Sequence, residues 1–311
     1  MQVSVIIVNY NTRQLTTNCI RSVYDKTKDV SFEIILVDNN SSECNASVFK
    51  AEFPDIKLIE SPENTGFAKG NNLGLEHASG TYVLLLNSDT ALVNDAISIA
   101  FHTMQRDSTI GVLSAQLIYP DGRAQPVTGK FPSVKRELSE LFRLHAFESA
   151  HTRTARLHGD CWDYTKAVET DWVWGAFFMV SRHVLNRFPG NRLHDDFFMY
   201  LEDVQWCYFI KKRLGLNILY SPEPIVLHYL SGSTANTDFK ENFRNRILPN
   251  QAAFLIMEHG KIYTVLFYFF RALHFLSLRT KQNRMEAGFY FRFIIRNVLS
   301  KKAISKNEKV D

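Results

Sequence analysis

The chain has 311 residues, 45% hydrophobic and 22% charged, a globular composition that excludes a disordered or collagen-like chain and allows one large domain or two modest ones. Four scattered cysteines (Cys19, Cys44, Cys161, Cys207) form no CxxC pair, which excludes a disulfide scaffold or cysteine-rich zinc module and fits a reducing compartment. The net charge of +4 divides unevenly, with fourteen Lys/Arg against five Asp/Glu over residues 240–311, and twenty-two against twenty-seven before them. A slightly acidic body with a basic, aromatic tail points to a polyanionic partner at the tail.

Val3–Val8 is a continuous apolar run, too short for a signal peptide, and predicts a strand buried on both faces of a parallel sheet. Thr12–Tyr24 has helical spacing, Phe32–Val37 predicts the second strand, and Ala46–Phe53 a weak helix. Ile56–Ile59 and Tyr82–Leu86 predict strands, with a helix over Gly70–Ala78 between them. Ala91–Gln105 predicts a helix and Gly111–Tyr119 a strand. Residues 125–165 lack periodicity beyond one helix near Lys135–Leu144. Strands follow at Trp172–Val180 and Ile218–Tyr220, separated by a helix from about Leu201 to Leu214. From about Asn236 the chain is helical.

This alternation predicts a doubly wound sheet with ligands at the C-terminal ends of its strands, where Asn9–Asn11, Asp38–Ser42 and Asn87–Thr90 fall. The G-x-G-x-x-G signature is absent, so a dinucleotide site is not expected. Asp38 can accept the N3–H of a uracil or thymine ring; an Asx turn explains the same residues. The loop Asn64–Asn72, with Gly66 and Lys69, opens a helix and suits phosphate or nucleoside contacts, or plain capping. Asp89, after Asn87 and Ser88, can hold Mg²⁺ or Mn²⁺ against a diphosphate. Glu202 and Asp203 follow five apolar or aromatic residues, surroundings that raise a carboxyl's pKa and suit a general base. His228 ends an apolar strand beside a Gly/Ser loop, and the four tryptophans between 162 and 206 offer an aromatic wall for a sugar or ordinary core packing.

The order of the motifs narrows the choice. S-V-I-I-V-N-Y-N (4–11), V-D-N-N-S-S (37–42), N-T-G-F-A-K-G-N-N (64–72), L-N-S-D-T (86–90), W-G-A (174–176), F-F-M-Y-L-E-D-V (197–204) and H-Y-L-S-G-S (228–233) run in sequence. Over roughly residues 3–250 this resembles the inverting glycosyltransferases of family 2, and within it the bacterial rhamnosyltransferase-type enzymes of O-antigen and surface-polysaccharide synthesis. The resemblance implies a GT-A type doubly wound mixed α/β sheet with a Rossmann-like nucleotide-binding half; the residues beyond it read as a helical basic-aromatic C-terminal tail.

It also implies roles. Asp38 reads the base, while Asn9, Asn11, Asn64, Gly66, Lys69, Asn72, Asn87 and Ser88 line the nucleotide-sugar pocket. Asp89 and His228 hold Mg²⁺ or Mn²⁺, Asp203 with Glu202 beside it is the catalytic base, and Trp174 and Gly175 meet the acceptor. Residues 1–240 form the catalytic domain, divided at 118/119 into donor and acceptor halves, and 241–311 a membrane-associating region. The partners expected are a nucleotide sugar, a polyprenyl-diphosphate-linked saccharide and an anionic membrane surface at the inner, cytoplasmic face, with no nucleic acid. Two departures stand out: Gly190–Asp196 replaces the family's Gly-Gly-Phe-Asp-Glu element, and Glu202-Asp203-Val204-Gln205 its E-D-V-D element.

Overall fold

A computed structural model of the chain describes residues 1–144, 164–230 and 242–300. Trp162, the Ser231–Ser233 loop and the expected boundary at 240/241 lie outside the described residues.

The apolar runs form the centre of a mixed sheet. Its strands are β1 (Val3–Asn9), β2 (Phe32–Asp38), β3 (Lys57–Glu60), β4 (Tyr82–Asn87), β5 (Thr90–Leu92), β6 (Ile110–Ile118), β8 (Val168–Thr170), β10 (Phe177–Ser181) and β11 (Asn217–His228). The order is β3-β2-β1-β4-β10-β6-β11-β5, with β8 also pairing β11. The first four strands are parallel, β10 is antiparallel between β4 and β6, and β11 returns parallel to β6. A separate two-stranded pair joins β7 (Thr128–Gly129) and β9 (Trp172–Val173). Val5, Ile6, Ile7, Leu84 and Leu85 are fully buried, as strands covered on both faces require.

Helices α1 (Arg13–Lys26), α2 (Ser47–Glu52), α3 (Gly66–Leu75) and α4 (Ala96–Arg106) make the crossovers. Four expectations shift. The helix expected over Gly70–Ala78 runs over Gly66–Leu75. The helix expected from Ala91 starts at Ala96, because Thr90–Leu92 pairs antiparallel with β11 and Asp95 caps the helix by accepting from Ser98 N–H. The strand expected over Trp172–Val180 breaks at Trp174–Ala176. The short strand expected at Ile218–Tyr220 runs on to His228, with a register shift between Tyr220 and Ile225 where Ser221-Pro-Glu-Pro intervenes.

The chain divides into two compact units, Met1–Gly129 with His158–Thr237, and Lys130–Leu157 with Asp238–Asp311. The first holds the sheet. In the second, α5 (Val134–Leu141), capped by Ser133, packs on a long helix, Leu248–Ser277, followed by Lys281–Phe293 and a π-turn at Ile294–Val298. A stretch read from sequence as part of the acceptor half, from Lys130 on, thus groups with the tail helices.

Arg271 explains why. It lies in the long helix and donates two hydrogen bonds to Glu137 of α5, at 2.7 and 3.1 Å, with its guanidinium 4.5 Å over the Phe267 ring. Burial works against the charge, but the Glu137 carboxylate holds the guanidinium protonated. Gly260 (φ 83°, ψ 169°) interrupts the long helix, leaving Lys261–Ser277, about 25 Å at ~1.5 Å per residue. Among the described residues no helix is long and apolar enough to cross a membrane.

Candidate active site

Asn9, Asp38 and Asn87 end β1, β2 and β4, so the polar clusters do gather at one edge of the sheet. Asn9 and Asp38 are register partners. The Asn9 Nδ2 donates to Asp38 Oδ1 at 2.7 Å and to Ser41 Oγ at 2.9 Å, while its Oδ1 accepts from Thr12 and Thr16 at 2.9 and 2.8 Å. Every donor and acceptor position of that amide is engaged within the fold. Asn9 therefore holds Asp38 and does not offer a free group to a nucleotide. Asp38 Oδ2 accepts from Ser41 N–H at 3.0 Å, leaving each carboxylate oxygen a lone pair.

The other amides divide similarly. Asn11, exposed and left-handed (φ 54°), accepts from Ser42 and Glu43 N–H through Oδ1. Asn64 Oδ1 accepts from Asn39 Nδ2 at 2.9 Å and from Gly66 N–H at 3.1 Å. Asn72, expected at the nucleotide, is buried and clasps the Leu193 backbone in both directions, at 2.8 and 2.9 Å. One N–H and one lone pair of its amide are thus spent on the fold. Lys69 stands exposed on α3. Ser88 Oγ lies 3.0 Å from Thr12 Oγ1, and Asn87 N–H donates to Ala176 at 3.0 Å.

Gly66 serves close approach. At φ 82° it lies against Phe198, whose carbonyl oxygen sits 2.2 Å from where a Cβ would be. The adjacent Phe67 N–H donates to that carbonyl at 3.0 Å, tying the start of α3 to the segment before Glu202. Tyr200 (φ 70°) and Leu201 (φ 76°) follow, two consecutive non-glycine residues in the left-handed region. They set the entry of the helix Glu202–Tyr208, with both acids in its first turn.

Asp203 Oδ2 accepts from Gly175 N–H at 3.2 Å and Oδ1 from Val204 N–H at 2.8 Å. Burial raises both carboxyls: Asp203 to about 6, and Glu202 further because the Asp203 charge also faces it. Glu202 Oε2 is buried without a hydrogen-bond partner, as suits a neutral carboxyl.

Trp174, one residue before Gly175, lies edge-on to the His228 ring at 6.2 Å. The broken strand at Trp174–Ala176 thus reaches His228 on one side and Asp203 on the other. His228 Nε2 is 3.3 Å from Asp89 Oδ1, and both residues are buried.

Sequence reasoning missed Gln125. Fully buried, it donates through Nε2 to the carbonyls of His228 (2.7 Å) and Ile118 (3.3 Å), which orients its amide and leaves Oε1 facing His228 Nδ1 at 2.9 Å. The network assigns a proton to Nδ1 and turns Nε2 toward the Asp89 carboxylate. With the imidazole protonated the two form an ion pair at 3.3 Å; with Nε2 deprotonated both atoms can donate to a cation, and in that state Asp89 and His228 fit a divalent metal. No third His, Cys, Asp or Glu joins them among the described residues, so further ligands would be diphosphate oxygens and water. Asn39, also missed, clamps Asn64, Thr65 and Gly66 from β2's end. The two departures from the family pattern meet: Gln205 Nε2 donates to Asp196 Oδ2 at 2.9 Å.

Comparison with known proteins shows the family and the fold. Over 265 residues the chain is 25% identical to the low-salt glycan biosynthesis hexosyltransferase Agl10 of Haloferax volcanii, covering 81% of this chain and 76% of that protein. It is 24% identical over 131 residues to a poly(ribitol-phosphate) beta-glucosyltransferase of Bacillus spizizenii, covering 40% of this chain and only 20% of that longer protein. The crystal structure of S. aureus TarS 1-349 superposes with a TM-score of 0.54 at 16% identity, covering 96% of this chain and 81% of that one, and shares the GT-A-like fold. The glycosyl transferase family 2 model matches residues 4–172, more than half of the chain, and the chain belongs to that family.

Proposed function

We propose that the protein inverts configuration while moving a sugar from a nucleotide sugar to a hydroxyl of a lipid-linked saccharide, in the synthesis of a cell-surface glycan. The observation that carries this reading is Asp203: a carboxyl raised to about 6, held by two backbone N–H groups, beside the Trp174–Gly175 segment that also meets His228. A base so tuned takes the proton of an acceptor hydroxyl onto its remaining lone pair. The oxygen then attacks the anomeric carbon opposite the departing nucleoside diphosphate, which leaves with the bonding electron pair. Inversion follows from this single displacement. Asp38 accepts from the nucleobase, with Asn9 and Ser41 fixing its orientation. Mg²⁺ or Mn²⁺ held by Asp89 and His228 would supply charge neutralisation at the leaving diphosphate.

The donor follows from the subgroup resemblance as dTDP-L-rhamnose. A second reading, a UDP- or GDP-hexose, is favoured by the hexosyl- and glucosyltransferase names of the two relatives. The acceptor proposed is a polyprenyl-diphosphate-linked saccharide, met at the inner face of the cell membrane by the helical unit lying on the surface. Ile262, Leu266, Phe269 and Leu276 support that placement, since they are exposed and fall on one face of the long helix. A donor panel assayed by nucleoside diphosphate release, with membrane lipid extract as acceptor, tests the reaction and names the sugar. Donor binding without release from any donor would replace the enzyme by a nucleotide-sugar-binding scaffold.

A further inference from the structure

The last helix carries a mixed cationic and apolar face. At about 100° per residue, Met285, Phe289, Arg292, Ile295, Arg296 and Leu299 fall within one arc. Met285, Ile295 and Leu299 are 60%, 65% and 57% exposed, and both arginines are exposed. Neither Arg292 nor Arg296 has an ion-pair or hydrogen-bond partner among the described residues. Both line a cavity of about 250 Å³ together with Arg244, Asn245 and Pro249. Arg244 lies 4.6 Å over the Phe289 ring and donates to Glu286 at 2.7 Å.

Three arginines therefore line one small cavity, with a single carboxylate, Glu286, engaged by one of them. The surplus of two positive charges matches a phosphate monoester, and the planar forks suit its oxygens. A cavity of about 250 Å³ exceeds the share of one water, about 30 Å³, severalfold, which leaves room for a phosphate and the glycerol beyond it. The exposed Ile295 and Leu299 beside the arginines would meet the apolar part of a molecule whose charged end enters the cleft.

We propose that this cleft binds the phosphate headgroup of an anionic membrane lipid, with Arg244, Arg292 and Arg296 as its donors. The assignment rests on the membrane-surface reading of the helical unit and deepens it from a diffuse attraction to a built site.

The test uses the full chain and an Arg292→Gln/Arg296→Gln double variant, with Arg296→Gln alone if the double variant unfolds. Each is titrated calorimetrically with monomeric dihexanoyl phosphatidic acid and with inorganic phosphate. Each is also co-sedimented with phosphatidylcholine vesicles with or without phosphatidic acid. The wild type is expected to bind the short-chain lipid and the anionic vesicles, and the double variant to lose at least about tenfold on both. No binding of short-chain lipid, equal binding by the variant, or equally tight binding of inorganic phosphate overturns the proposal. If the short-chain lipid binds and the vesicles do not, the cleft stands and the membrane-surface reading fails. If vesicles bind wild type and variant alike, that reading stands and the cleft fails.

Discussion

Gln125 grips His228 at both ends, accepting the Nδ1 proton at 2.9 Å while donating to the His228 backbone carbonyl at 2.7 Å. The imidazole can neither rotate nor exchange tautomers without breaking that grip. Gln125→Leu is accordingly expected to weaken Mn²⁺ binding in the presence of nucleoside diphosphate by about 10–100-fold, and Asp89→Ala by more. Titration followed by Mn²⁺ electron paramagnetic resonance reads this without turnover. Full transfer activity in excess EDTA would remove the cation from the proposed reaction.

Asp203→Asn should lower transfer by about 10²–10⁴ with donor affinity nearly unchanged, because the amide cannot take a proton. Glu202→Gln should cost less than about tenfold, since burial and the Asp203 charge push the Glu202 carboxyl upward, toward its neutral form, and the amide preserves its shape. Comparing the two purified variants in one kinetic assay separates the adjacent acids. Wild-type turnover by Asp203→Asn would move the base to Glu202.

The pH dependence has a definite sign. Asp203 acts only when ionised, and burial raises its pKa to about 6. The pH profile of kcat/KM should be flat above that value and fall about tenfold per unit below it. An inflection near 4 would place the base in a wetter site than this one.

Gly66→Ala introduces a Cβ 2.2 Å from the Phe198 carbonyl oxygen at a φ of 82°. Left-handed strain alone costs about 1–2 kcal/mol, and the carbonyl is backbone that cannot swing aside. Both the melting temperature and donor affinity are expected to drop, read by thermal unfolding with and without nucleotide.

Arg271→Met should destabilise by about 3 kcal/mol, because it leaves Glu137 buried without its cation. Adding Glu137→Leu should recover much of that loss in chemical denaturation. A double variant no better than the single one would show that the pair is not coupled.

The sheet was legible because fully buried strands write themselves as unbroken apolar runs; Asp38 closes one of them, and Glu202 and Asp203 together follow another apolar stretch, Phe197–Leu201. The amides were less legible. Asn9 and Asn72 have the composition of ligand-binding residues, but one is saturated by Thr12, Thr16, Asp38 and Ser41, and the other is buried and bonded both ways to the Leu193 backbone. Nothing local distinguishes an amide serving the fold from one facing a ligand. Gln125 was invisible for a different reason: its partner lies 103 residues away, joined only when β6 and β11 pair. Arg271 carries no local mark of its role, because Glu137 stands 134 residues upstream.

That separation also bears on how the chain is made. Glu137 leaves the ribosome first, and 134 residues must follow before its cation exists. At about 5–20 residues per second, α5 waits roughly ten seconds during synthesis with an apolar face and a lone acid, while the sheet's last strands are still being added. The helical unit therefore closes last, and a chain ending before Arg271 leaves α5 permanently without its mate. Removing the tail at one point does not yield a shorter clean protein; it leaves half of a unit behind.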